Sequence, residues 1–195
     1  MVAIIDYNAG NIQSVKNALE RMGAGYILTD DPAQILNADK VILPGVGNAA
    51  KAMESLRSKG LDTVIRSLRK PVLGICVGLQ LMCRHSEEGD VDCMDIFDTE
   101  VRRFPDSAEA KVPHIGWNSI SNLDSKLFRG IPGGSFVYFV HSYCPGLCCD
   151  TIATCRHGDT MFSAALKYEN FYGTQFHPEK SGDVGEQILK NFISL

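Results

Sequence analysis

Pro71-Val72-Leu73-Gly74-Ile75-Cys76-Val77-Gly78-Leu79-Gln80-Leu81-Met82-Cys83-Arg84 is the stretch on which the fold turns. Residues 71–75 form a short apolar run, the pattern of a strand buried on both faces, and residues 77–84 are expected to leave it directly as a helix. Between them, Gly74-Ile75-Cys76-Val77-Gly78 has the G-x-nucleophile-x-G form of a nucleophile elbow, with cysteine in place of serine. Such a turn strains the nucleophile's backbone, and glycine two residues to either side relieves the crowding. The thiol then stands at a helix start, where free N–H groups and the helix dipole favour a thiolate. The N–H of Val77 would point to where an oxyanion forms. The same pentapeptide also fits a structural cysteine buried in a tight turn.

Apolar runs and amphipathic stretches alternate on the N-terminal side. Strands are expected at 2–7, 26–29 and 41–43. Asn11 can cap a helix that carries Ile12, Val15, Leu19 and Met22 on one face and ends at Gly23 and Gly25. A helical turn is expected near 32–36, and helices at 49–58 and 61–68. Strands alternating with helices imply a mostly parallel sheet flanked by helices. Beyond the elbow the pattern changes: strands at 96–103, 135–143, 151–154, 162–167 and 171–176 with short connections predict an additional, partly antiparallel set. A last helix is expected at 184–192. With no repeat, low-complexity tract or linker, residues 1–195 read as one α/β domain.

Bulk composition narrows the function. A net charge of −4, with Lys and Arg scattered, provides no basic field for nucleic acid or an anionic membrane. No apolar stretch approaches the ~20 residues of a membrane helix, and the N-terminus lacks signal-peptide character, so a cytoplasmic protein is expected. Seven cysteines in such a chain argue against a disulfide framework. Cys144, Cys148, Cys149 and Cys155, with His157 beyond, lack the paired spacing of a zinc site and read as small buried side chains; no metal and no cofactor is expected.

Two further segments bear on Cys76. Phe176-His177-Pro178-Glu179 ends the last expected strand. The residue before a proline is extended, so His177 and Glu179 should project to one side, with the carboxylate orienting the imidazole while it exchanges a proton with Cys76. Pro44-Gly45-Val46-Gly47 follows the third strand, at the carboxyl end where ligands of open α/β sheets bind. Glycines on both sides of Val46 would let its peptide plane reorient, as suits a switchable second oxyanion donor; an ordinary βα turn accounts for them equally.

Taken together, these segments resemble the class I glutamine amidotransferases, and within them the glutaminase subunits of imidazole glycerol phosphate synthases. The resemblance runs end to end. Its specific pieces are residues 6–11 (Asp-Tyr-Asn-Ala-Gly-Asn), 43–47, 74–80, 113–118 (Pro-His-Ile-Gly-Trp-Asn), 138–143 (Tyr-Phe-Val-His-Ser-Tyr) and 175–182. It implies a triad of Cys76, His177 and Glu179, with oxyanion donors from Val77 and from Val46 or Gly47. Gln80, one helical turn past Cys76, would hold substrate. Glu88 matches an acidic contact to the glutamine ammonium, and Ser142 and Tyr143 match backbone contacts to its carboxylate. The implied partners are L-glutamine and a (β/α)8 cyclase, forming a heterodimer in which ammonia passes to the precursor PRFAR. Lys180, Trp117 and Asn118 are expected near the mouth facing that cyclase, against the simpler fates of a solvated lysine and a core tryptophan. Two residues depart from the family pattern, Val77 in place of the commoner Leu and Asn8 in place of a common Gly.

Rival readings stay open at this level. A sibling glutaminase could serve another synthase, such as one in surface-sugar biosynthesis. A cysteine peptidase or esterase would share the elbow but not Gln80 or the late His-Pro-Glu. A nucleotide-binding module would rest on loop 8–11, which lacks the three glycines of a dinucleotide fingerprint.

Overall fold

The computed structural model describes residues 1–7, 12–106 and 111–195. The N-terminal half alternates as expected: β1 (Val2–Ile5), α1 (Ile12–Arg21), β2 (Tyr26–Thr29), α2 (Pro32–Asn37), β3 (Lys40–Leu43), α3 (Ala49–Ser58), α4 (Leu61–Ser67) and β4 (Val72–Ile75). Each of β1 and β4 is buried along its whole length, which is why their sequences are continuous apolar runs rather than alternating ones. The expected Asn11 cap and the loop at 8–11 lie outside the described residues. Other caps follow their usual chemistry: Asp31 accepts from the Ala33 N–H at the start of α2, and Asn48 from the Lys51 N–H at the start of α3.

After β4 comes α5 (Val77–Gln80), then β5 (Cys83–Ser86), β6 (Val91–Asp92), β7 (Phe97–Arg103), β8 (His114–Ser119), β9 (Phe136–His141), β10 (Tyr143–Pro145), β11 (Thr151–His157), β12 (Thr160–Tyr168), β13 (Phe171–Thr174) and α6 (Gly182–Ile193). The expected helix over 77–84 stops at Gln80. The Leu81 and Met82 carbonyls accept instead from Met94 N–H and from Ile96 and Phe97 N–H, and the chain passes into β5. Apolar Leu81 and Met82, both fully buried, mimic the continuation of a helical face. Strand β8 has no counterpart among the expected strands.

The main sheet has seven strands in the order β11-β12-β13-β4-β3-β1-β2. Five of them, from β13 to β2, pair in parallel, while β11 and β12 add antiparallel strands at one edge. A second sheet, β10-β7-β5-β6, and the antiparallel pair β8-β9 complete the structure. For the site, the consequence is simple. β13, β4 and β3 are neighbours, so the segments leaving their carboxyl ends emerge side by side, as the position of ligands in open α/β sheets requires.

Candidate active site

Cys76 leaves β4 at φ 54° and ψ −110°, the strained conformation expected of an elbow nucleophile. The flanking glycines answer to close approach. A Cβ on Gly78 would lie 1.9 Å from the Leu43 carbonyl oxygen, and one on Gly74 would lie 2.3 Å from Met82 Cε and 2.6 Å from the Gly78 carbonyl. Gly45 is pressed against the same turn, its Cβ position falling 2.5 Å from the Gly78 nitrogen. So Gly45 is required by packing, while Gly47, at φ 91° with open space around it, is the residue that needs glycine for its backbone angle. Pro44 is held too: its carbonyl accepts from the buried Tyr7 hydroxyl at 2.7 Å. With α5 only four residues long, the dipole invoked for the thiolate is that of a single turn, and local N–H groups carry what remains of the effect.

His177 follows β13. Its Nδ1 lies 2.7 Å from Glu179 Oε1, and both side chains are buried. Burial works against charge on this ring, but the Cys76 sulfur and the Glu179 carboxylate overcome it and push the imidazole up to about 10. Its Nε2 has no partner at hydrogen-bonding distance among the described residues, faces the Cys76 sulfur, and is the nitrogen left for chemistry at the pocket. Ser181 locks the turn, its hydroxyl donating to the His177 carbonyl at 2.6 Å.

A cavity of about 220 Å³ opens on these groups, lined by Val46, Gly47, Cys76, Val77, Gln80, Glu88, Val140, His141, Ser142, Tyr143 and His177. Every expected triad, oxyanion and substrate residue therefore meets here, with Glu179 just behind His177. Gln80 is buried and donates through Nε2 to the Tyr143 carbonyl at 2.9 Å and to Gln175 Oε1 at 3.0 Å. Glu88 accepts from the Ala49 N–H at the start of α3, and partial burial raises its carboxyl. Sequence reasoning missed Gln175, whose Nε2 lies 3.7 Å from Cys76 Sγ. It also missed His141. Both sit inside segments that carried the family resemblance, so the signal was present but attached to no role.

The expected mouth residues separate. Trp117 is 55% exposed, not in the core, and packs edge-on to Tyr138 with ring centroids 6.1 Å apart. Lys180 is half-buried, with Nζ 6.0 Å from the same tyrosine ring. Asn118 does not join them. Strand alternation turns it to the other face of β8, where Nδ2 donates to the Arg156 carbonyl at 2.8 Å. The cysteine-rich segment also differs from expectation: Cys144 and Cys155 are buried, but Cys148 is half-buried and Cys149 exposed, because they sit on the loop between β10 and β11. No metal-holding cluster of His, Cys, Asp or Glu occurs among the described residues, and no described helix is long and apolar enough to cross a membrane.

An elbow cysteine, a buried His–Glu couple and a glycine-framed segment on three adjacent strand ends define an amidotransferase-type thiol site. The chain belongs to the glutamine amidotransferase class-I family, whose model matches residues 3–195. More narrowly, it falls among the chains named imidazole glycerol phosphate synthase subunit HisH. It is 55% identical to that of Bacteroides thetaiotaomicron, covering 100% of this chain and 99% of the relative. It is 44% identical to that of Yersinia pestis, with the same coverage. Solved structures share the fold at low identity. A glutamine amidotransferase matches with TM-score 0.74 and 17% identity over 100% of this chain and 98% of the other. The glutaminase domain of Trypanosoma brucei CTPS matches with TM-score 0.65 and 14% identity over 99% and 93%.

Proposed function

We propose that residues 1–195 act as one glutaminase domain that hydrolyses L-glutamine to glutamate and ammonia. The ammonia would pass to a cyclase subunit converting PRFAR to imidazole glycerol phosphate and AICAR in histidine biosynthesis, in the cytoplasm. The single observation that carries this reading is the convergence of Cys76 and the His177–Glu179 couple on one small pocket. In the proposed reaction the proton shared between Cys76 and His177 sits on the imidazole, and the sulfur attacks the amide carbon of glutamine. The oxyanion meets the Val77 N–H and an N–H from Val46 or Gly47. His177 returns the proton to the departing ammonia, and water activated by His177 then cleaves the thioester. Gln80 would hold the substrate, Glu88 would meet its ammonium, and Ser142 and Tyr143 the carboxylate. The chemistry needs no cofactor.

The outer face of β8 and β9 supports a partner surface. Ile115, Trp117 and Phe136 are 60%, 55% and 59% exposed on one face, beside Tyr138 and Lys180. This face is tied to the triad: the His177 N–H donates to the Tyr138 carbonyl at 2.9 Å, and the Tyr138 N–H to Ser181 Oγ at 2.9 Å. We assign it to a (β/α)8 cyclase in a heterodimer, with Lys180 meeting an acidic residue. Pressure on this face would reach the catalytic histidine directly through the Tyr138 carbonyl and indirectly through the Ser181 hydroxyl, which donates to the His177 carbonyl. The test is glutamate release by the isolated chain and by the liganded complex. Stimulation of about 10²–10³, the worth of one oxyanion donor, is expected; equal rates would remove the switch.

A further inference from the structure

His114 and His141 belong to segments that carried the resemblance, yet the triad leaves both unused. They are directly opposite each other across β8 and β9, and both are buried. Phe139 stacks on His114 at 4.7 Å, Phe104 and Phe162 pack against both rings, and His157 stacks on His114 from the other side at 4.1 Å. The rings join end to end. His141 Nδ1 is 2.8 Å from the Tyr143 carbonyl, His141 Nε2 is 3.1 Å from His114 Nδ1, and His114 Nε2 is 3.2 Å from Asn118 Nδ2.

The polarity of this chain is fixed from both ends. A carbonyl oxygen only accepts, so His141 Nδ1 carries a proton and donates to Tyr143. At the other end the Asn118 amide is oriented by two backbone partners, since Oδ1 accepts from the Ser119 N–H at 2.8 Å and Nδ2 donates to the Arg156 carbonyl. Asn118 therefore offers an N–H to His114 Nε2, which must accept. Only one arrangement remains for the contact between the rings: His114 Nδ1–H donates to a bare His141 Nε2. Both rings are neutral and share one tautomer; a proton on either would set N–H against N–H. Burial agrees, pushing His114 down to about 4 and His141 to about 3, with His157 and His177 the other titratable groups acting on His141.

The chain continues past Tyr143. The same carbonyl accepts from Gln80 Nε2, whose second hydrogen goes to Gln175 Oε1, while Gln175 Nε2 approaches Cys76 Sγ. Both amide hydrogens of Gln80 are thus committed, leaving its Oε1, an acceptor, to meet a ligand.

We propose that His114 and His141 are positioning residues for glutamine hydrolysis, a matched pair of neutral imidazoles that fixes the Tyr143 carbonyl. Through that carbonyl they seat Gln80 and tie the pocket to Asn118 of the β8–β9 hairpin. The proposal rests on the pocket being a glutamine site.

Two measurements test it. Long-range ¹⁵N–¹H NMR of the full chain labelled at histidine should show two neutral Nδ1–H rings near neutral pH. Either ring found as the Nε2–H tautomer or as imidazolium overturns the relay, whatever any variant does. In the complex, His114→Phe keeps the stacking but not the bonds. It should raise the glutamine KM roughly tenfold, the size of one lost buried hydrogen bond, with kcat within about threefold. His114→Asn, which retains a donor at the δ position, should recover most of that loss. An unchanged KM in a folded His114→Phe chain overturns the positioning role. A wild-type complex without glutaminase activity would overturn the pocket reading. The matched rings, visible by NMR without any turnover, would tell that failure from failure of the relay.

Discussion

Two buried histidine couples border one pocket and settle in opposite charge states. His177 faces a carboxylate on one side and a cysteine sulfur on the other, and is pushed up to about 10; His141 faces a carbonyl and a second imidazole, and is pushed down to about 3. Burial acts in the same direction on both, lowering each ring's basicity. Partner chemistry therefore decides which ring can carry a proton. The proposed site uses one ring of each kind: one that moves protons and one that stays neutral near neutral pH.

The harshest way to break the first couple is Cys76→Ala. Glutaminase activity should fall by at least about 10⁴, as losing a covalent nucleophile does, while the complex still uses added ammonium salts. An adduct of a glutamine-analogue electrophile on Cys83 or Cys144, located by mass spectrometry, would contradict the assignment; burial raises both of those thiols. A smaller step separates the members of the couple. His177→Gln should cost at least about tenfold more in kcat than Glu179→Gln, because the turn held by Ser181 partly orients the ring on its own. Equal losses would mean that the carboxylate does more than orient.

Acid and base should then destabilise the fold through different couples. His114 and His141 have folded values below the unfolded ~6.5, so the unfolded chain binds more protons below that pH. Their contribution is complete above about 6.5 and is lost as pH falls toward 4 and 3, at up to about 1.4 kcal/mol per pH unit per ring. His177 runs the other way: its contribution is complete below about 6.5 and is lost as pH rises through about 10. Urea unfolding across pH should show His141→Phe flattening the acid limb alone and Cys76→Ala the alkaline limb alone. The smallest effect belongs to Lys180, a cation on the open side of Tyr138. Lys180→Ala should leave unfolding within about 0.5–1 kcal/mol of wild type yet weaken the stimulation of glutaminase by cyclase ligand. Unchanged stimulation and unchanged glutamate-to-product stoichiometry would make it an ordinary surface lysine.

The same contrast explains what could be read from residues alone. Cys76, His177 and Glu179 were legible because strain, proline and glycine leave local marks at fixed spacing. The parallel half was legible because a strand buried on both faces is a continuous apolar run. Strand β8 was not: Pro113-His114-Ile115-Gly116-Trp117-Asn118 puts its polar residues on the buried face and Ile115 and Trp117 on the exposed one, inverting the usual pattern. The helix over 77–84 was overextended because apolar residues entering a sheet resemble a helical face. Gln175 and the imidazole pair depend on contacts between residues 27 to 99 positions apart, which no local window contains.

The bare-backbone contact between Gly45 and Gly78 has a consequence for diversity. Across positions 44–47, Pro44 is bound through its carbonyl, Gly45 has no room for a methyl group and Gly47 holds a left-handed angle. Val46, 37% exposed, lines the pocket and is under none of these three constraints. A saturation library over these four codons should recover active chains with many residues at 46 and nearly none elsewhere. Pro44, Gly45 and Gly47 frame one variable letter, and that letter is where selection or design can retune the proposed switch.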